Sequence, residues 1–156
     1  MKLQRSDKVF LSNEGSLFVA KPEPLVELLG GIHKHAIALP NFQRPWVWEP
    51  DMVRDLIKSV AYRYPAGSLL TMPVTTNSFA LRPFEGSGIS LKINPNLMIL
   101  DGQQRLTSLY QALYRHEGVH VKSRTYHFYL DVNILMSNLD NDTDMVDPYL
   151  IKHFSM

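Results

Sequence analysis

No cysteine occurs in the 156 residues. Disulfides, thiolate zinc sites and cysteine nucleophiles are excluded together, and the chain carries no redox mark of its compartment. An excess of one charge is also lacking: 16 Lys and Arg stand against 15 Asp and Glu, a formal net charge of +1. That balance argues against a strongly basic, non-specific nucleic-acid binder, although it leaves room for a local basic groove. No apolar run approaches the roughly 18 residues of a membrane-spanning helix. The start, Met1-Lys2-Leu3-Gln4-Arg5-Ser6-Asp7-Lys8, leads into no signal-peptide core. A cytoplasmic protein without membrane contact is expected. Internal repeats and low-complexity tracts are missing too. What remains is ordinary for a folded domain: 45% of residues are apolar and 20% charged, in a chain long enough to bury one core.

The patterning predicts interleaved helices and strands. Pro22 and Pro24 precede an apolar stretch, Leu25 to Leu29, that Gly30-Gly31 is expected to end. His35 to Leu39 reads as a short strand stopped by Pro40. The segment 41–50 holds Phe42, Trp46 and Trp48 between prolines and cannot be a helix interior. Met52, Val53, Leu56, Ile57 and Val60 recur at helical spacing over 51–62. Tyr64-Pro65-Ala66-Gly67 reads as a turn, Ser68 to Val74 as an edge strand because of Pro73, and 75–88 as a mobile loop. Asn96 to Leu100 reads as a strand. Leu106, Leu109, Tyr110, Leu113 and Tyr114 form one stripe of a helix over 103–116. Tyr126 to Val132 is read as a strand, and the polar run that follows, with Asp140, Asp142, Asp144 and Asp147, as an acidic turn. The expected class is α/β, an α+β mixture with a small sheet flanked by helices.

The stretch Leu100-Asp101-Gly102-Gln103-Gln104-Arg105-Leu106-Thr107 passes from strand through glycine into helix. Free N–H groups and the positive end of the dipole at such a junction attract anions. Gly102 permits close backbone approach, Arg105 carries a fork suited to phosphate oxygens, and Gln103 and Gln104 add amides. Asp101 has the chemistry to hold Mg²⁺ or to orient a water. The rival reading is plain: Asp is a favoured N-cap, and a polar first turn marks any exposed helix start. In Phe42-Gln43-Arg44-Pro45-Trp46-Val47-Trp48, Arg44 suits a second phosphate and Gln43 a base or ribose. The two tryptophans either stack a base or fill the core, and core packing is favoured.

Three stretches occur in order: Pro40-Asn41-Phe42-Gln43-Arg44-Pro45-Trp46-Val47-Trp48, Tyr64-Pro65-Ala66-Gly67-Ser68-Leu69-Leu70, and Leu100 to Thr107 with Asp-Gly-Gln-Gln-Arg. Together they resemble the N-terminal domain of GmrSD-type, modification-dependent restriction endonucleases and their phage-defence relatives. The resemblance implies a ParB/sulfiredoxin-like fold, nucleoside triphosphate binding and hydrolysis with Mg²⁺, and coupling to restriction of modified DNA. It makes Asp101 and Arg105 catalytic, with Asp101 the candidate Mg²⁺ ligand. It makes Gln43, Arg44, Gly102, Gln103 and Gln104 nucleotide-binding. It implies an extension over 1–20, a nucleotide-binding domain over 21–135, and a segment 136–156 that continues into a nuclease domain absent from this chain. No nuclease activity is expected of this chain alone. Two alternatives stand beside it: a module that recognises DNA or nucleotide and signals to a separate nuclease without turnover, and a ParB-like, nucleotide-switched clamp that would work as a homodimer.

Other signals carry less. Asp140, Asp142 and Asp144 imitate a calcium loop, but Met145 and Ile151 stand where glycine and glutamate are required. His33 and His35, taken as facing one side of a strand, lack a third metal ligand nearby. Ser68 and Ser108 have no nucleophile-elbow context.

Overall fold

Helix α1 runs Leu25–His33, past the glycine pair expected to end it. A Cβ on Gly31 would lie 2.7 Å from the Ile37 side chain. The glycine therefore serves close helix–strand approach within the helix rather than termination. The computed structural model describes residues 20–75, 79–88, 94–140 and 151–155. Strand β1, Ile37–Pro40, follows, then the extended segment 41–49 and helix α2, Pro50–Ala61, which starts with proline in its first turn. Strands β2 (Leu70–Pro73), β3 (Leu81–Arg82) and β4 (Leu97–Asp101) lead into helix α3, Gln103–Leu109. A π turn over Tyr110–Tyr114 continues α3. Strands β5 (Val119–Val121) and β6 (Arg124–Leu130), helix α4 (Val132–Asp140) and strand β7 (Ile151–Ser155) complete the order.

Two small sheets result, so the fold is α/β. The first has the order β2-β4-β1-β3, with β1 and β4 parallel in the centre and antiparallel strands on both flanks. The second is antiparallel, β5-β6-β7. Three further expectations are corrected. The 75–88 loop contains β3 on the sheet's edge. Residues 132–140 are helical instead of ending a strand and opening a turn, because the Asp131 carboxylate accepts the Ile134 N–H at 3.3 Å as an N-cap does. His33 and His35 do not share a strand face: His33 ends α1, and His35 has φ +55° before β1 begins. The remaining acidic positions, 141–150, lie outside the described residues.

Helix α2 joins two apolar clusters. Leu56 packs into the larger one, with Leu29, Ile32, Leu39, Ile99, Leu106 and Tyr110. Val53 and Ile57 pack into the smaller one, with Val119 and Val121. Each such burial contributes about 1.5–3 kcal/mol. Trp48, just before α2, packs against both clusters. No described helix is long and apolar enough to cross a membrane.

Candidate functional site

In open α/β sheets, ligands bind beyond the carboxyl ends of the parallel strands. Here β1 and β4 end side by side, β1 running into Gln43 and Arg44, and β4 into Gly102 and the start of α3. A cleft of about 350 Å³ lies there, lined by Gln43, Arg44, Trp48, Leu100 and residues 101–105. Every residue expected in the site lines it, although two separate stretches of chain supply them.

Most of these side chains hold the cleft's walls. The segment 43–48 has no strand partner, so its polar backbone groups must be satisfied otherwise. Gln103, 7% exposed, donates to the Arg44 carbonyl at 2.9 Å. The Gln104 amide acts like a strand, donating to the Pro45 carbonyl at 3.1 Å and accepting the Val47 N–H at 3.0 Å. Arg82 donates to the Arg44 carbonyl at 3.2 Å, and Glu85, 2.8 Å from Arg82, accepts the Trp46 N–H at 3.1 Å. Gln43 donates to the Ile99 and Leu100 carbonyls at 2.7 and 3.0 Å. These carbonyls are available because the ladder between β1 and β4 stops at Met98, and β4 carries a bulge at Leu100 in its register with β2. With its amide so oriented, Gln43 Oε1 is left buried without a partner. A ligand or water donor reaching it would relieve about 1–3 kcal/mol.

Arg105 also lines the cleft, but its terminal nitrogens donate to the Ala66 and Ser68 carbonyls, both at 2.7 Å, and one approaches Asp101 Oδ2 at 3.4 Å. The intervening Gly67 sits at φ +91°, and a Cβ there would collide with the guanidinium. The expected Tyr64–Gly67 turn is thus an irregular strap tied down by Arg105. Gly102 is the N-cap of α3 at φ +96°, so Asp101 is not the cap. A Cβ on Gly102 would collide with Leu69 Cδ2, so glycine here serves packing against Leu69 as well as backbone proximity to the cleft.

Two polar groups face solvent without such duties. The exposed Arg44 guanidinium has no hydrogen bond or ion pair among the described residues. The Asp101 side chain is 73% exposed and, among the described residues, meets only Arg105. Mg²⁺ is commonly bound through one or two carboxylates with phosphate oxygens and water completing its shell. A single open carboxylate beside a cationic rim fits an ion arriving with a nucleotide. Among the described residues no group of three His, Asp or Glu forms a metal cage.

Trp46 and Trp48 both pack on the core, the role favoured from the sequence. Trp46 donates its Nε1–H to Ser108 Oγ at 2.9 Å and packs on the smaller cluster. Trp48 packs on both clusters and also lines the cleft. The sequence reading missed Arg82 and Glu85, which lie in a stretch whose only signal was its loop composition. His33 Nδ1 lies 3.0 Å from the Tyr110 hydroxyl, which accounts for one of the two histidines.

A stretch of an uncharacterized protein of Methanocaldococcus jannaschii is 33% identical over 127 residues, covering 75% of this chain and 22% of the relative. The chain thus spans about a fifth of that relative's length. No solved structure matches. The family of GmrSD restriction endonuclease N-terminal domains matches residues 25–153, nearly the whole described fold, and the chain belongs to that family.

Proposed function

We propose that the cleft binds a nucleoside triphosphate with Mg²⁺ and hydrolyses it, as the ParB-like sensor domain of a modification-dependent DNA restriction and phage-defence system. The observation that carries this is the meeting of Gln43 and Arg44 with residues 101–105 around one cleft at the carboxyl ends of two parallel strands. Arg44 supplies a fork, unengaged among the described residues, for phosphate oxygens at the rim. Arg105 adds positive charge while positioning the strap 66–68. Phosphoryl transfer depends mainly on positioning and on offsetting charge at the phosphoryl oxygens, which is what these two cations supply. Asp101 holds the metal or orients the attacking water. Bound Mg²⁺ would supply the remaining charge neutralisation.

A thermal-shift screen with Mg²⁺ and each of the four ribonucleoside triphosphates, paired with a phosphate-release assay, tests this. A ligand at a hundred times its dissociation constant should add about 2.7 kcal/mol, a rise of roughly 5–11 °C for a domain of this size. No shift with any nucleotide would remove the proposal. A second reading, binding without turnover, draws on one fact: Asp101 is the sole carboxylate lining the cleft among the described residues. A shift without phosphate release, with salt-dependent DNA binding in the absence of nucleotide, would favour it.

A further inference from the structure

We infer that Trp48 is the stacking platform for the nucleobase, so that the cleft takes a nucleotide in preference to a bare polyphosphate; this rests on the nucleotide reading above. Trp48 is the one aromatic side chain among the nine residues lining the cleft. Its side chain packs against both apolar clusters, and the backbone of the preceding Val47 is pinned by Gln104. A base meeting this ring would order little that is not already ordered, which is the condition for efficient stacking. The indole N–H adds a second argument. A buried tryptophan normally finds an acceptor, as Trp46 does in Ser108. The Trp48 N–H has no acceptor among the described residues and is not among their buried unpaired groups. It is free for a ribose or base oxygen. Arg44 and Asp101, the two groups suited to phosphate and metal, line the same cleft. One cleft therefore offers groups for charge together with an indole for the base. Stacking uses a π-face that every base has, so the platform sets a requirement for a base and little preference among bases.

The test compares Mg²⁺–ATP with Mg²⁺–tripolyphosphate, which has no base. The chain has two tryptophans, so a Trp46→Phe variant leaves Trp48 as the sole tryptophan emitter when excitation is kept to wavelengths that tyrosine does not absorb. ATP is expected to quench that emission, and tripolyphosphate to bind by thermal shift without quenching. Trp48→Leu should weaken ATP by roughly five- to 150-fold and leave tripolyphosphate affinity unchanged, with Trp48→Phe recovering most of the loss. Equal ATP affinity in the folded Trp48→Leu variant would overturn the inference. So would equal weakening of both ligands, or tripolyphosphate binding as tightly as ATP to the unsubstituted protein. In each of these the phosphate cleft survives. If neither ligand binds the unsubstituted protein, the nucleotide reading fails, and the role of Trp48 with it. Should Trp48→Leu fail to fold, the quenching comparison on Trp48 itself decides.

Discussion

Replacing Arg105 by methionine separates two roles that the sequence alone merges. Methionine keeps a long, flexible stem and removes the donors. The guanidinium makes two short bonds to the Ala66 and Ser68 carbonyls, with its side chain 24% exposed. Hydrogen bonds to a charged group contribute about 1.5–3 kcal/mol each. Water can replace the donor at the more exposed Ser68 carbonyl, which lowers the sum to about 2–4 kcal/mol. Its weak, exposed contact with Asp101 adds little. In a domain of this length that corresponds to a melting temperature roughly 4–16 °C lower. Urea unfolding followed by circular dichroism measures the difference directly. Arg105→Lys should recover only part of it, because one ammonium cannot reproduce the planar fork that reaches both carbonyls. If Arg105→Met melts within about 0.5 kcal/mol of the parent while losing nucleotide affinity, the strap is not held by this side chain. Arg105 would then be a ligand residue alone.

Three further outcomes are expected. Arg44→Ala should leave urea stability unchanged within about 0.5 kcal/mol and weaken Mg²⁺–nucleotide binding about tenfold or more, as isothermal titration would show; an unchanged affinity would take Arg44 out of the site. Asp101→Asn should suppress phosphate release on the order of a hundredfold with no loss in a melt, because Gly102, not Asp101, occupies the N-cap position; a stability loss near 1 kcal/mol would restore the capping role. Burial holds the Tyr110 phenol above its ordinary range. Its folded-state pKa therefore exceeds the unfolded one, and its contribution is complete below about pH 10 and lost as pH rises through the raised value. Urea stability should fall more steeply in that alkaline range for the parent than for Tyr110→Phe, and parallel slopes would refute this.

Local patterns made most of the framework legible. The 3.6-residue recurrence in α2 is borne out at Val53, Leu56 and Ile57, which are buried, while Met52 is 48% exposed and Lys58 is buried instead. Pro40 and Pro73 do end strands, and β2 is an edge. The stripe of α3 holds through Tyr110 and then slips, leaving Leu113 48% exposed, because the wider π turn carries that position off the buried face. Gly30-Gly31 misled because a glycine's small size and its helix-stopping tendency look alike in sequence, and the contact with Ile37 that separates them is tertiary. In the site, side-chain chemistry left a plain helix start open, the family resemblance singled out the residues around the cleft, and neither gave their tasks. Gln43, Gln103, Gln104 and Arg105 have the donors a phosphate site needs, and whether these meet a ligand or a carbonyl depends on loops whose course no periodicity encodes.

The tethers across the cleft end almost entirely on main-chain atoms: the carbonyls of Arg44, Pro45, Ala66, Ser68, Ile99 and Leu100, and the amides of Trp46 and Val47. A carbonyl survives any substitution of the residue that bears it. Side chains at the rim can therefore be exchanged without loosening the frame, provided the anchoring glutamines, arginines and Glu85 stay. Selection or design could retune what this opening recognises, position by position, on an unchanged scaffold.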